Sequence, residues 1–199
     1  MAKDNDAIIR LARERMDEVP VDTLRALVSL DAKTGRLFWK ERGVEWFRDS
    51  EGRSAVHSCA NWNARYAQSE AMTATSAQGY KVGSILDRKY AAHRVVFALS
   101  RGHWPKAEVD HIDGDRINNL PSNLREASRS QNQCNVGVMR SNTSGAKGVS
   151  WDRNRNMWRA DIMLNGKRKH LGMFATVEAG AEAYRLASVQ MHQEFGRAA

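Results

Sequence analysis

The chain has 199 residues, 42% of them apolar, and its 31 Lys and Arg against 23 Asp and Glu give a net charge of +8 at pH 7. This length suffices for one medium domain or two small ones with cores of their own. No run of 18 uncharged apolar residues occurs, and the charged N-terminus lacks the apolar stretch of a signal peptide. We therefore expect neither a membrane span nor classical secretion.

The charge and the cysteines indicate a polyanion partner and a reducing compartment. Residues 139–199 hold 10 basic and 5 acidic residues, so the C-terminal third carries most of the positive excess. Such a surface favours an anionic partner. The two cysteines, Cys59 and Cys134, form no C-x-x-C pair, which excludes a four-cysteine zinc site and gives no sign of a disulfide framework. The expected location is the cytoplasm.

The first elements along the chain are a helix and a turn. Helical spacing of apolar residues predicts a helical region over 6–30, broken at Pro20. A turn over 31–35 leads into a short strand, Arg36–Trp39. Residues 41–78 show no sustained period and are predicted to be irregular with short helices. Several side chains there either contact the anionic partner or pack: Trp46, Arg48, Trp62, Arg65 and Tyr66.

The middle of the chain alternates strands and helices. Two apolar runs over 79–92 predict a hairpin around Asp87-Arg88. Residues 93–100 predict a helix that ends before Gly102, and 128–135 can form a second short helix. A polar segment over 139–146 is predicted to be a linker.

The last segment has the clearest pattern. Residues 149–153 predict a strand, and apolar positions alternate with polar ones from 158 to 164. Asn165-Gly166 is a strong hairpin signal before the returning strand over 167–171. Thr176 is placed to cap a helix that ends at Phe195, just before Gly196, whose inward residues are expected to be Ala179, Ala183, Leu186 and Met191.

Asp, Asn and His are densest in residues 109–135. Asp110 and His111 are adjacent at a predicted strand end, Asn123 follows twelve residues after His111, and Asn132 comes nine later. Mg²⁺ prefers oxygen ligands and keeps several waters, so one carboxylate and one amide carbonyl suffice while a phosphate completes the shell. A neighbouring imidazole can then take a proton from an attacking water.

The string DHIDGDRINNLPSNLREASRSQN resembles the active motif of H-N-H endonucleases, in the branch whose last ligand is Asn. This resemblance implies a ββα-metal core over about 105–138 that hydrolyses DNA phosphodiesters with Mg²⁺, or alternatively Mn²⁺. It implies four roles: Asp110 and Asn132 as metal ligands, His111 as general base, and Asn123 as a residue that ties the loop through backbone hydrogen bonds.

Other polar residues of this region have simpler interpretations. Asp115 is interpreted as a loop former, and Asp113 as a loop former or an outer-shell group of the metal. His93 begins the H-R-V-V string, which also precedes the motif in relatives, and it is either a packing residue or a phosphate contact. A structural role is expected for Asn118, Asn119 and Asn135.

Residues 144–197 resemble the ethylene-response-factor (Apetala) type of DNA-binding domain, through G-A-K-G-V-S-W, W-R-A-D-I and K-R-K-H-L-G-M-F. That resemblance implies a three-stranded sheet in the major groove with a helix packed behind it. Alternation places Arg159, Asp161 and Met163 on the outer face with Arg168 and His170. The candidate DNA contacts are Lys147, Trp151, Arg153, Arg155, Arg159, Arg168 and His170. An ordinary α+β module with a basic face is the alternative.

Together these features predict an α+β protein with a ββα-metal nuclease region over 1–138, a linker over 139–146 and a small antiparallel sheet with one packed helix over 147–199. The expected function is a metal-dependent, phage-encoded homing-type endonuclease that nicks double-stranded DNA in the host cytoplasm, as a monomer or a homodimer. The alternatives are a DNA-binding or phage-assembly protein that retains an idle motif, and a nuclease directed to RNA.

Overall fold

The computed structural model describes residues 18–138, 141–164 and 166–192. The described residues form two compact units, one containing 18–111 and 115–125 and the other containing 112–114 and the described residues from 126 onward. Each unit combines helices with small antiparallel sheets, which confirms the α+β class. No described helix is both long and apolar enough to cross a membrane. The domain limits given above stay a prediction.

The first unit begins with helix α1 (Val21–Leu27), strand β1 (Val28–Asp31) and strand β2 (Arg36–Trp39). The predicted helix over 6–30 is wrong at its end, because β1 pairs with β2 in antiparallel register from Val28 opposite Trp39. Sheet pairing here overrides the local helical spacing. The part of that prediction before residue 18 lies outside the described residues.

The segment over 41–78 is more regular than its sequence indicates. It contains a 3₁₀ turn (Val44–Trp46), a twelve-residue helix α2 (Ala55–Tyr66), strand β3 (Glu70–Ala71), which joins β2, and strand β4 (Ala74–Thr75). The Oγ of Ser54 caps α2 by accepting a hydrogen bond from the backbone N–H of His57.

The predicted hairpin and the helix after it are both present. Strand β5 (Lys81–Ile85) pairs with both β4 and β6 (Arg88–Ala91). The turn lies one residue earlier than predicted, at Leu86 and Asp87, whose φ angles of 49° and 65° are those that a tight hairpin requires. Helix α3 (Ala92–Arg101) ends at Gly102, which adopts the left-handed conformation.

A core of aliphatic side chains holds this unit together. Many of its fully buried members come from α1, the β5–β6 hairpin and α3, among them Leu24, Leu27, Ile85, Val95 and Val96. Strands β7 (Glu108–His111) and β8 (Leu124–Ala127) then form a two-stranded sheet, with a 3₁₀ turn (Pro121–Asn123) leading into β8. This sheet carries the Asp-His pair of the motif.

The second unit contains helix α4 (Arg129–Asn135), where the sequence predicts one. Its start is fixed by a capping box in which Ser128 and Gln131 exchange side-chain-to-backbone hydrogen bonds. Strands β9 (Val149–Asp152), β10 (Met157–Leu164) and β11 (Lys167–Phe174) follow, with β10 in the centre of the sheet.

Helix α5 (Val177–His192) packs on this sheet and begins where predicted, because Thr176 Oγ1 accepts from the N–H of Ala179 at 3.2 Å. Ala160 and Ile162 are buried as the alternation predicts. The predicted turn residue Asn165 and the predicted helix end at Phe195 and Gly196 lie outside the described residues.

The predicted inward face of α5 is wrong in part. Leu186 is 51% exposed and Ala179 is exposed, whereas Gly180, Tyr184 and Ser188 are buried. The helix is rotated because it approaches β9 closely at Gly180, where an added Cβ would lie 3.2 Å from Val149. The close contact at Gly180 therefore determines which face of α5 is turned toward the sheet.

Candidate active site

Strand β7 ends in the two residues that the motif places at the centre of the chemistry. Asp110 is 5% exposed and His111 is 3% exposed, so both polar side chains lie in the interior of the first unit. Buried polar groups require partners, because burial without a hydrogen bond or a counter-charge is costly. The partners of these two residues therefore define the site.

Arg125 on β8 neutralises Asp110. Its Nε and Nη2 donate to Oδ2 of Asp110 at 3.0 and 2.9 Å, and its side chain is only 12% exposed. Removing one member of such a buried pair costs about 3 to 5 kcal/mol. Sequence reasoning does not find Arg125, because an arginine on a strand gives no signal until its contact with Asp110 is seen.

Asn119 orients His111. Nε2 of His111 lies 3.0 Å from Oδ1 of Asn119, which is itself 7% exposed. Because an amide oxygen only accepts hydrogen bonds, Nε2 carries the proton, and Nδ1 is the nitrogen whose lone pair can take another. Asn119 was expected to be merely structural, yet the structure places it on the imidazole.

The loop that carries Asn119 is held from two sides. Gly35, in the β1–β2 turn at φ +70°, lies so close that an added Cβ would meet the carbonyl of Asn119 at 2.4 Å. Nδ2 of Asn123 donates to the backbone carbonyl of Asn118 at 2.8 Å. That is the kind of loop-tying hydrogen bond that the motif implies for Asn123.

His93 and Tyr80 surround the imidazole of His111 with rings. The ring centroids of His93 and Tyr80 lie 5.1 and 5.9 Å from that of His111, and 5.0 Å from each other. Burial lowers the pKa of His93 to about 4, and electrostatic interaction with His111 and Arg94 acts in the same direction. His93 is therefore neutral at pH 7, and its 8% exposure supports packing over phosphate contact.

The lowered pKa of His93 makes stability depend on pH. Between pH 6.5 and about 4 the unfolded chain binds a proton at this residue and the folded chain does not, so stability falls as the pH falls through this window. We expect the free energy of unfolding, measured in urea at pH 7 and 4.5, to drop by roughly 2 to 3 kcal/mol more in the parent than in His93→Gln. Equal drops would contradict the burial of a neutral imidazole.

Comparison with known proteins finds sequence similarity that includes the segment carrying Asp110 and His111. The HNH endonuclease family model matches residues 90–134, which run from the end of β6 through α4. Protein 3.8 of Escherichia phage T7 is 37% identical over 106 residues, which are 53% of this chain and 87% of that protein. The chain belongs to the family of Protein 3.8 and carries an HNH endonuclease domain.

A second relative has the same domain in its name. An uncharacterized HNH endonuclease of Acanthamoeba polyphaga mimivirus is 34% identical over 119 residues, which are 59% of this chain and 60% of that protein. No solved structure matches the chain significantly. The HNH domain implies a nucleic acid as the substrate.

The donor set of the HNH domain fits a hard divalent cation. Among the described residues, no cluster of three His, Cys, Asp or Glu side chains could hold a metal ion. Mg²⁺ does not need one, because it is held by one or two carboxylates together with waters and substrate phosphates. The buried carboxylate of Asp110 is an oxygen donor of that type. Asn132 belongs to α4 of the second unit. That it would bind the same cation as Asp110 is implied by the motif alone.

The sheet of the second unit presents a polar outer face. The register places Arg159, Arg168 and His170 on the side opposite the buried Ala160 and Ile162. Asp161 lies among them, with its carboxylate 2.8 Å from Nε of Arg159 and 2.9 Å from Nδ1 of His170.

The remaining candidate DNA contacts lie elsewhere in this unit. Trp151 pairs with Trp158 across β9 and β10 on the helix-facing side, where the two rings meet edge to face at 5.1 Å, although Trp151 is 44% exposed. Lys147 precedes β9, and Arg153 and Arg155 occupy the β9–β10 turn. The register therefore brings only three of the seven candidates onto one face.

Proposed function

We propose that this chain is a metal-dependent endonuclease that hydrolyses phosphodiester bonds of duplex DNA. The observation that carries the proposal is the buried imidazole of His111, which Asn119 holds in one tautomer beside the buried carboxylate of Asp110. The HNH match over this segment and the HNH name of the mimiviral relative support it. The phage relative supports a phage-encoded protein that acts in the host cell. That the enzyme is of the homing type and acts in the host cytoplasm is part of the proposal.

In this proposal His111 is the general base and its neighbours prepare it. Nδ1 takes a proton from the attacking water, while Asn119 keeps the ring in place and accepts from Nε2 as the ring becomes positive. Asp110 and, from the motif, Asn132 would hold a divalent cation, with Arg125 fixing the carboxylate of Asp110. When bound, the cation stabilises negative charge on the phosphate and the leaving oxygen.

One such site cuts one strand. We therefore propose that a monomer nicks duplex DNA and that a double-strand break requires two copies or two visits. The test is a supercoiled plasmid incubated with the parent in Mg²⁺, in Mn²⁺ and in EDTA, with excess RNA as a competitor in one arm. Metal-dependent conversion to nicked circles that RNA does not suppress supports the proposal. Binding without conversion in either metal supports a non-catalytic DNA-binding or phage-assembly protein.

Asn119 provides a test of the orientation of the base. Asn119→Ala is expected to slow cutting about 10- to 100-fold, as loss of an orienting partner typically does. Asn119→Asp restores an acceptor and adds a negative charge, so it should recover much of the rate and shift the acid limb of the pH–rate profile to higher pH. Single-turnover rates from pH 5 to 9 measure both. A uniform loss without a pH shift would mean that Asn119 has only a structural role.

We further propose that the outer face of the C-terminal sheet contacts DNA, as the Apetala-type resemblance implies. Arg159, Arg168 and His170 share that face, and guanidinium groups bind both phosphates and the acceptor edge of guanine. Pairing with Asp161 fixes Arg159 and His170 in position, whereas Arg168 is exposed.

Arg168 provides the test of this surface. Arg168→Ala should weaken DNA binding and reduce the slope of log affinity against log salt by about one if the side chain contacts a phosphate. Fluorescence anisotropy with labelled duplex in EDTA measures the slope. Leu186→Ala, at an exposed position of α5, serves as the control. An unchanged slope for Arg168→Ala would exclude this residue from the interface.

A further inference from the structure

A cavity of about 740 Å³ in the first unit has no part in the chemistry proposed above. This volume lies within the range of ligand sites in proteins. Its lining includes five aromatic side chains, four of them from the segment whose role the sequence leaves open. They are Trp39, Trp46, Phe47, Trp62 and Tyr66.

The aromatic rings surround Trp62 without closing the cavity. The centroids of Trp39, Tyr66 and Phe47 lie 5.7, 5.4 and 6.3 Å from that of Trp62. Helix α2, which carries Trp62 and Tyr66, has no buried residue at all. Rings that served only as a core would be buried against one another, whereas these remain half-exposed around open space.

Arg42 adds a desolvated positive charge to this cavity. Its guanidinium carbon lies 3.8 Å from the ring centroid of Trp62, and burial, only partly opposed by Asp87, lowers the pKa of Arg42 to about 10. Its Nε is buried and has no hydrogen-bond partner among the residues that the structure describes. A buried N–H donor without a partner costs free energy, and a phosphate oxygen is the acceptor that a guanidinium satisfies best.

We infer that this cavity binds one unstacked nucleotide of a DNA strand, with the base against the aromatic rings and the phosphate on Arg42. Aromatic rings accept any base, because every base has a π-face, and a guanidinium holds the phosphate that follows it. The inference rests on the proposed action on DNA. It gives the segment over 41–78 the task of holding a nucleotide out of the duplex.

The test uses a duplex that carries a single bulged 2-aminopurine, with a fully paired duplex for comparison, and the parent protein in EDTA. We expect the parent to quench the fluorescence of the bulged base and to bind this duplex about tenfold more tightly than the paired one. Trp62→Ala should remove the quenching and this preference. Arg42→Met, which keeps the aliphatic stem, should weaken binding of the bulged duplex and reduce its salt slope by about one.

Matched controls separate this result from unfolding and from the nuclease. Val56→Ala changes an exposed residue of the same helix outside the cavity and should leave the quenching unchanged. Trp62→Phe keeps a stacking ring and should retain most of the preference for the bulge. Equal binding of both duplexes by the parent, or quenching that survives Trp62→Ala, would overturn the inference. Plasmid cutting is scored separately, so the cavity and the nuclease can each fail alone.

Discussion

His111→Gln is expected to cut supercoiled DNA roughly 10² to 10⁴ times more slowly than the parent, the usual contribution of a general base. Glutamine keeps an amide N–H that can donate to Asn119 in place of Nε2, but it has no basic nitrogen. The initial rate of nicked-circle formation in Mg²⁺ measures the effect. DNA binding in EDTA should be unchanged, because His111 is only 3% exposed and adds little to the surface of the protein.

The control for this prediction is another histidine. His57→Ala removes an exposed imidazole of α2 whose partner is Asn61, and it should leave the cutting rate within about twofold of the parent. Thermal melting of each variant shows whether the fold is intact. If the folded His111→Gln variant cut DNA at the parent's rate, the proposed base would be wrong.

Asp110→Asn is expected to remove both metal binding and cutting. The substitution keeps the shape of the side chain, but it removes the charge that a divalent cation requires, so the cutting rate should fall by roughly 10² to 10⁴. Titration with Mn²⁺, followed by the loss of the signal of free Mn²⁺ in electron paramagnetic resonance, measures binding without reference to activity. The parent should bind one equivalent that the variant does not.

Stability must be monitored in the same experiment. Asp110→Asn removes the charge of the carboxylate that pairs with the buried guanidinium of Arg125, so the variant should also lose about 3 to 5 kcal/mol of stability. The double variant Asp110→Asn with Arg125→Met removes both charges and should recover part of that loss while still binding no Mn²⁺. Asp22→Asn, at a side chain that is 92% exposed, is the control. Full Mn²⁺ binding by a folded double variant would contradict the assignment of Asp110.

Local signals in the sequence predict much of the fold. The helix ending at Gly102, the hairpin before it and the short helix α4 depend on residues close in sequence, and each is found within a residue or two of its predicted place. The alternation in β10 likewise predicts which face is buried, because Ala160 and Ile162 follow the strand period.

Features that depend on contacts between residues far apart in the chain could not be predicted from the sequence. Strand β1 exists because β2 pairs with it, against the helical spacing of its own residues. The phase of α5 depends on Gly148, where an added Cβ would lie 2.2 Å from the ring of Tyr184, and on the close approach at Gly180. Hydrophobic spacing alone favours Leu186, which is in fact exposed.

The sequence indicates the motif residues of the candidate site but not the residues that contact them. Asp110 and His111 follow from the spacing of the motif, whereas Asn119 and Arg125 are recognised only from their contacts with these two side chains. An asparagine in a turn-rich loop and an arginine on a strand are common in any surface segment. Only their burial beside a carboxylate and an imidazole distinguishes them.

Diffraction from a crystal of the parent soaked in Mn²⁺ tests the central claim most directly. We expect an anomalous peak within coordination distance of the Asp110 carboxylate, with the imidazole of His111 beside it and Nε2 still on Asn119. A soaked crystal with no peak at Asp110, or with manganese bound only elsewhere, would contradict a metal-dependent site and leave this chain as a DNA-binding protein with an idle motif.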